Sequence, residues 1–256
     1  MLFLKPRKGY FSDEKMSAIK FKIILFLNIL LLLFCFSFPI NATNNSAYDT
    51  VINKINQAYA NIQTYSAYFI KQELIKDVGM VTEHIDLVFQ KPFKVKLNYR
   101  EGPKKDITVV YQKGENDNKL RVRKAGIILG FFTFSLSPQS DIAMKNNHHD
   151  ITNIGLGKLI DIITNNYNRA RKNNEIKIID HGNDQINGIP VYHYEAILPK
   201  EKDKGYYCYR IILYINKNNY LPVKIRIIDW DNKLYEDYTY LDLKINIKLD
   251  DKIFYL

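Results

Sequence analysis

Alternating apolar and charged positions near the C-terminus predict two strands joined by a turn. In residues 221–228, Val223, Ile225 and Ile227 share one face and the intervening Lys224 and Arg226 share the other. This is the period of two that a half-buried strand requires. After the polar turn at residues 229–232, residues 233–243 continue as a second strand. One face of this hairpin therefore packs against a core or a ligand, and the other faces water.

The same period recurs through most of the chain. Its clearest instance sets Phe93, Val95, Leu97 and Tyr99 against charged or amide side chains. Such a strand has one wet face, which is typical of an antiparallel sheet. The first five strands follow one another without a helix, which argues strongly against a doubly wound α/β fold. The further predicted strands are residues 65–75, 81–89, 93–100, 107–112, 119–124, 176–181, 189–198 and 206–215.

Two segments have the spacing of amphipathic helices instead. Residues 47–62 place apolar side chains at i, i+3, i+4 and i+7, with Asn45 or Ser46 as the predicted cap. Residues 154–172 form a second helix that is capped by Thr152 or Asn153 and ends in basic residues, which suit the negative end of the helix dipole. Its predicted buried stripe is Ile154, Leu159, Ile160, Ile163, Tyr167 and Ala170.

Residues 126–136 break the alternation with an almost continuous apolar run bounded by glycines and followed by Pro138. Two interpretations are open. The favoured one is a buried connection, because contiguous apolar loops are usually buried. The other is a mobile flap that plugs an apolar cavity or touches a membrane.

The N-terminal residues 1–42 predict a targeting segment, in which a basic stretch precedes an apolar run at residues 23–40. Met16 has the position of a true start, and cleavage after Ala42 would leave residues 43–256 as one domain. An uncleaved membrane anchor is the alternative, because the run approaches the roughly 18 residues of a membrane span. We therefore expect a periplasmic or an inner-membrane-anchored protein.

Setting the leader aside changes the interpretation of charge and cysteine content. The whole chain has a net charge of +10, but six of its 37 basic and two of its 27 acidic residues lie in the leader, which leaves +6. Most lysines and arginines fall at polar positions of alternating strands, which predicts a solvated sheet face. The alternative interpretation is that these residues bind an anionic membrane surface. Nucleic acid is not expected as a partner of an exported chain. Cys208 is the one cysteine after the leader, so no internal disulfide forms.

Enzyme signals are weak. His148 and His149, with Asp141 and Asp150 nearby, are the one local group that resembles a metal or acid–base site. Adjacent strand residues point to opposite faces, so the pair shares an ion only if it lies in a loop. A solvated loop or a histidine bonded to the helix start is favoured over a metal enzyme or hydrolase. The carboxylates are dispersed, and we predict no cofactor, no metal site and no enzymatic activity.

Several stretches resemble a family catalogued as domain of unknown function 1571. The resemblance covers about residues 48–254 and includes Phe69-Ile70-Lys71-Gln72-Glu73, Lys91-Pro92-Phe93, Leu136-Ser137-Pro138 and His149-Asp150-Ile151-Thr152. The closing strands, with Leu221-Pro222 and the tyrosines at 235, 238 and 240, look like those of the LolA and LolB lipoprotein carriers. The resemblance implies a mainly β (α+β) fold, in which a strongly curved antiparallel sheet of about ten strands, an unclosed barrel, is covered by two or three helices.

A lidded apolar concavity is implied as well, and it suggests a carrier or sensor of a lipid or acyl chain. A lipid, a lipidated protein or an envelope protein is then the expected partner, with membrane association possible through the N-terminal segment. The alternative is a non-catalytic interaction module with a filled core. The predicted ligand-binding residues are Phe93, Val95, Leu97, Tyr99, Phe131, Phe132, Phe134, Leu136, Leu159, Ile163, Val223, Ile225 and Ile227.

Overall fold

A computed structural model describes residues 42–124 and 133–256. Within them eleven strands form one antiparallel sheet. The strands that precede the helical connection are β1 (Thr64–Ile75), β2 (Gly79–Gln90), β3 (Lys94–Glu101), β4 (Ile107–Gln112), β5 (Leu120–Lys124) and β6 (Thr133–Leu136). Those that follow it are β7 (Lys177–Ile186), β8 (Ile189–Ile197), β9 (Arg210–Asn216), β10 (Pro222–Ile228) and β11 (Leu234–Ile245).

The chain enters this sheet at its centre and meanders outwards. Strand order is β6-β5-β4-β3-β2-β1-β11-β10-β9-β8-β7, so β1 pairs with both β2 and β11. From the edge strand β6 the chain passes to the opposite edge, β7, and returns to the centre. The edges β6 and β7 are not paired with each other, and the barrel is therefore unclosed.

Helices cover the apolar face of the sheet. They are α1 (Ala42–Ala60), the short α2 (Asp141–Met144) and α3 (Leu156–Lys172). The Nδ2 of Asn56 in α1 donates to Oγ1 of Thr164 in α3 at 3.0 Å, and the Tyr167 hydroxyl donates to Asp49 at 2.8 Å. These bonds hold residues 49–60 of α1 beside α3.

Both helices are confirmed, but their predicted starts are wrong. Helix α1 begins at Ala42 and so includes Asn45 and Ser46, which therefore do not cap it. Helix α3 is preceded by Gly155, with φ +99°, and neither Thr152 nor Asn153 is its cap. A Cβ at Gly155 would lie 2.6 Å from the Tyr65 hydroxyl, so the close approach of helix and sheet requires glycine here.

The core lies between the inner face of the sheet and the stripe of α3. Leu159, Ile160, Ile163, Tyr167 and Ala170 are buried as predicted, and Leu156 replaces Ile154 at the start of the stripe. Fully buried side chains of β1 to β3 and β10 meet this stripe, among them Tyr65, Ile85, Leu87, Val95 and Ile225.

The outer face is partly covered too. Both Val110 and Gln112 in β4 are buried, because the C-terminal 3-10 helix Asp251–Phe254 lies against them. The Gln112 amide donates to the Phe254 carbonyl at 3.2 Å, and the Phe254 side chain is fully buried. The chain end therefore covers the outer sheet face at β4.

The interpretation of residues 126–136 as a buried connection is wrong for its described part. Thr133–Leu136 forms the edge strand β6, paired with β5 through Leu120 with Leu136 and Val122 with Phe134. Phe134 is 51% exposed. Among the described strands, β6 pairs with β5 alone. Residues 125–132, with Phe131 and Phe132, lie outside the described residues, so the flap stays a prediction.

The unclosed antiparallel sheet with its helical cover confirms the predicted fold class. Residues Asp49–Leu256 make one compact unit. Of the helices in the described ranges, none combines the length and the hydropathy of a membrane span.

Candidate functional site

A cavity of about 460 Å³ lies between the inner sheet face and the chain that connects β6 to α3. Its sheet wall comes from β1, β3, β4, β5, β6 and β11. Its other wall is formed by α2, by the segment 145–155 and by the first half of α3. The apolar lining residues are Phe69, Leu97, Ile107, Val109, Leu120, Val122, Phe134, Leu136, Ile142, Ala143, Ile151, Ile154, Leu159 and Ile162.

Part of the predicted ligand-binding set lies in this cavity. Leu97 and Tyr99 contribute from β3, Phe134 and Leu136 from β6, and Leu159 from α3. Phe134 and Ile142 line the cavity and yet remain 51% and 70% exposed, so apolar side chains border its mouth.

The remaining predicted residues lie elsewhere. Val95, Ile163, Ile225 and Ile227 belong to the packed core and do not line the cavity. Phe93 packs edge-on against Phe89 and Tyr111. Val223 borders a second pocket, of about 480 Å³, beside Leu221 and Leu243. The predicted set is thus divided between the packed core and the cavity.

One end of the cavity is charged, and strand register explains why. Lys71 and Glu73 in β1 continue the inward-facing series of Tyr65, Ala67 and Phe69. Lys71 lies opposite Glu83 of β2 and opposite Tyr238 of β11, while Glu73 lies opposite Glu236. Three carboxylates are therefore brought together on the inner face, near the β1–β2 and β3–β4 turns.

Two lysines neutralise the innermost of these carboxylates. Glu83 is fully buried, and its two oxygens lie 2.9 Å from Lys71 Nζ and 3.0 Å from Lys104 Nζ. Both ammonium groups also donate to Oδ1 of Asn147, and Lys71 bonds Glu73 Oε2 at 3.2 Å. Asn147 thereby ties the connecting segment to the charged end.

The two histidines complete this attachment. Nδ1 of His148 lies 2.9 Å from Glu236 Oε1, and its Nε2 lies 3.0 Å from the Leu74 carbonyl. His149 Nε2 lies 3.1 Å from the same Glu236 oxygen and 2.8 Å from the Tyr207 hydroxyl, which itself donates to Glu236 at 2.7 Å. A single carboxylate oxygen thus receives three donors. We call Lys71, Glu73, Glu83, Lys104, His148, His149, Tyr207, Glu236 and Tyr238 the polar cluster.

Charge in the polar cluster is balanced when His148 is an imidazolium. Both of its ring nitrogens face acceptors, so both carry hydrogen. Burial lowers the pKa of His148, but the bond to Glu236 and the nearby Glu73 carboxylate outweigh it, and the pKa is raised. Burial disfavours the charged form of Glu236, yet donation from His148 and His149 lowers its pKa to about 2. Three carboxylates then meet two ammonium groups and one imidazolium.

These contacts correct two sequence-based interpretations. The histidines are neither a solvated loop nor bonded to the helix start, because they bind β11 across the cavity end. The carboxylates are not dispersed, because strand pairing unites Glu73, Glu83 and Glu236. The alternation of inward and outward side chains could have predicted this group. Lys71, Glu73 and Glu83 fall in the same alternating positions as the apolar residues of β1 and β2.

A metal ion fits this group poorly. Ligand atoms of Glu73, His148 and Glu236 lie within 4.8 Å of one another, the one such group in the described ranges. Two ligands of a tetrahedral zinc ion lie about 3.3 Å apart, whereas His148 Nδ1 and Glu236 Oε1 are separated by 2.9 Å, the length of an N–H···O bond. Glu73 is already bonded by the Tyr238 hydroxyl and by the backbone N–H of His148.

The polar cluster is also a poor catalytic centre. His148 has no free lone pair with which to accept a proton. Burial and the adjacent Glu236 raise the pKa of Cys208 to about 12, so its sulfur is a thiol at neutral pH and a weak nucleophile. Tyr207 is held protonated in the same way. The bonds therefore fasten segment 145–150 to the sheet.

Comparison with family models assigns the chain, with a match over residues 62–255 to "Protein of unknown function (DUF1571)". The chain belongs to the DUF1571 family. The match spans β1 to the C-terminal 3-10 helix and includes all residues of the polar cluster. No curated protein sequence matches this DUF1571 chain.

Solved structures with related architecture are distant in sequence. Lipoprotein LppX of Mycobacterium tuberculosis is 11% identical with a TM-score of 0.47, over 78% of the DUF1571 chain and 97% of its own. A LolA-superfamily protein of Nitrosomonas europaea is 12% identical with a TM-score of 0.34, over 81% and 97%. The Pseudomonas aeruginosa MucA/MucB complex is 12% identical with a TM-score of 0.42, over 81% of the DUF1571 chain and 60% of the matched chain. These likenesses carry no information about a ligand or partner of this chain.

Proposed function

We propose that this protein is an exported, non-catalytic carrier or sensor that binds a lipid or acyl chain in the cavity. The cavity itself is the observation that supports the proposal. Its walls are mostly aliphatic and aromatic, and its volume of about 460 Å³ is within the range of small-molecule sites. Residues 1–42 are then a signal segment or an uncleaved anchor, and residues 43–256 are the working domain.

The volume of the cavity suits a single acyl chain. A water molecule occupies about 30 Å³ of liquid, so the cavity has room for about fifteen groups of that size. A methylene group is of similar bulk. At about 0.8 kcal/mol for each buried methylene, roughly ten methylenes supply about 8 kcal/mol, which corresponds to micromolar binding. Such affinity is strong enough for capture and weak enough for release.

The mouth of the cavity supports transfer of an apolar ligand. Phe134 and Ile142 are exposed there, so a chain that enters or leaves passes over apolar side chains. Opposite the sheet, α2 and segment 145–150 form a cover that is attached through the polar cluster and not through a continuous strand. This cover is the element whose displacement would admit the ligand.

The direct test is to express the full chain with its own leader, purify it gently and record native mass spectra with lipid extraction. Recovery of an acyl-chain compound at near-unit stoichiometry is expected. The substitution Ala143→Trp places an indole in the cavity from α2 and should abolish that recovery. Ala60→Trp, at an exposed position of α1, is the matched control and should leave it unchanged.

A second function, an envelope protein-interaction module, is favoured by one observation. Val95 and Ile225 are fully buried in the core, so part of the inner sheet face is packed as a module of this kind would require. Repeated recovery of an empty protein that binds no lipid would exclude the carrier function. Co-purification of an envelope protein in that case would support the module.

A further inference from the structure

The inference concerns the chemistry of the ligand's head, and it rests on the carrier function proposed above. The charged end of the cavity presents lysines and carboxylates together. Among the lining residues Lys71, Lys104, Lys124 and Lys145 are cationic, and Glu73 and Asp150 are anionic. The question is which of these groups has hydrogen-bonding capacity left for a ligand.

The carboxylates already have partners on every oxygen. Glu73 accepts from the Tyr238 hydroxyl at 2.6 Å on one oxygen and from the His148 backbone N–H at 2.9 Å on the other. Asp150 accepts from the Thr152 backbone N–H at 2.8 Å and from Gln139 at 3.0 Å. A cationic head would have to compete with these donors.

The lysines, by contrast, retain donors. An ammonium group has three N–H bonds, and Lys104 uses two of them, towards Glu83 at 3.0 Å and Asn147 at 2.9 Å. Lys145 is exposed on the cavity rim and forms no ion pair with residues 42–124 or 133–256. The unused capacity at this end is therefore of the donor type and positively charged.

The positive charge of Lys104 is only partly compensated by its surroundings. Its ammonium group lies 5.3 Å from the centre of the Tyr99 ring. Burial and the neighbouring Lys71 lower its pKa, in spite of the Glu83 carboxylate. A second anion at the cavity side of Lys104 would supply the missing compensation.

We propose that the ligand is a single-chain amphiphile with an anionic head, a carboxylate or a phosphate, that lies against Lys104 and Lys145. Its chain extends along Leu97, Val109 and Leu120. In this arrangement Lys104 donates its third N–H to the head, and Lys145 approaches it from the rim. The ligand thus spans the apolar walls and the charged end at once.

Four ligands of equal chain length test this assignment by calorimetric titration of the full-length protein at pH 7: tetradecanoate, tetradecyl phosphate, tetradecanol and tetradecyltrimethylammonium. A charged hydrogen bond is worth about tenfold or more in affinity. We expect both anions to bind at least about tenfold more tightly than the alcohol, and the cation to bind most weakly. Whichever anion binds more tightly identifies the head as carboxylate or phosphate.

Matched variants locate the contact. Lys104→Met should reduce the ratio of anion to alcohol affinity to near one, and Lys104→Arg should retain most of it. Lys105→Met changes the next, exposed lysine of the same loop and should leave the ratio unaltered. Lys145→Met, which removes no ion pair from the described fold, should lower the ratio without changing thermal stability. It therefore provides a readout even if Lys104→Met fails to fold.

The outcomes separate the two proposals. Equal binding of alcohol and anions, or tighter binding of the cation, would overturn the anionic head while leaving the acyl-chain carrier intact. An equal effect of Lys104→Met and Lys105→Met would overturn the assignment to Lys104. Failure of all four ligands to bind would overturn the carrier function, and the anionic head with it.

Discussion

Replacement of Glu236 by glutamine is the sharpest test of the polar cluster. The substitution keeps the shape of the side chain and removes its charge. In the native protein Glu236 Oε1 receives donors from His148, His149 and Tyr207 at 2.9, 3.1 and 2.7 Å. After substitution the imidazolium of His148 faces an amide in place of its hydrogen-bonded carboxylate, and Glu73 is the carboxylate that remains near it.

The magnitude follows from the carboxyl group's own titration. Its surroundings lower the pKa of Glu236 from an ordinary value of 4.5 to about 2. At about 1.4 kcal/mol for each pH unit, this lowering corresponds to about 3 kcal/mol in favour of the charged form. Breaking one partner of a buried ion pair has a similar effect, about 3–5 kcal/mol. We expect Glu236→Gln to lower the free energy of unfolding by about 3 kcal/mol.

The assay is urea denaturation followed by circular dichroism from pH 2 upwards. The pKa of Glu236 is lower in the folded protein, so its stabilisation is present above about pH 4.5 and is lost as the pH falls towards 2. The pKa of His148 is raised above 6.5, so its stabilisation is present below that value and is lost as the pH rises through the folded pKa. The difference between native and variant protein should be largest between these limits.

Two comparisons make the result decisive. Glu115→Gln removes an exposed carboxylate and should change stability by less than about 0.5 kcal/mol. A double-mutant cycle with His148→Asn should show strong coupling, since the two side chains share one bond. A loss below about 1 kcal/mol, or a loss that persists undiminished at pH 2, would refute the charge balance inferred for the cluster.

Two further predictions concern single positions. Nuclear magnetic resonance titration should give His148 a pKa above 6.5 that falls in Glu236→Gln, while His193, whose pKa is lowered by burial and by His181, should titrate below 6.5 in the same spectra; a His148 value below that of His193 would contradict the imidazolium. Gly155→Ala should destabilise by about 1–3 kcal/mol more than Gly79→Ala. Both glycines have positive φ, but only Gly155 has the Tyr65 hydroxyl 2.6 Å from the new Cβ; equal melting temperatures would show that the helix can move away.

Much of the architecture was predictable because the spacing of apolar residues along a strand or helix is a local property of the sequence. The alternation in β3 and β10 identified strands, and the spacing from Leu159 to Ala170 identified α3. Helix starts were less predictable. The cap of α3 is Gly155, which has no side chain to bond the first turn. The search for a Ser, Thr, Asn or Asp cap therefore selected the wrong residues.

The division of the inner face into core and cavity was not predictable from the same signals. Val95 and Leu97 are two residues apart on one face of β3, yet Val95 belongs to the core alone and Leu97 also borders the cavity. What separates them is the path of the chain between β6 and β7, which decides where α3 lies. Periodicity reports which face is buried but not what buries it.

The polar cluster also shows that periodicity reports which side chains face inwards but not what they contact. Parity alone places Lys71, Glu73 and Glu83 inward, and an inward charge in a strand of this length requires a partner. Lys71 pairs with Glu73 and Glu83 themselves. The remaining partners come from the β3–β4 loop, segment 145–150 and β11, which local patterns do not identify. An unpaired charge on an apolar strand face therefore predicts the existence of a second layer above it. Here that layer is the cavity's cover, and the residues that look like errors in the alternation are those that hold it in place.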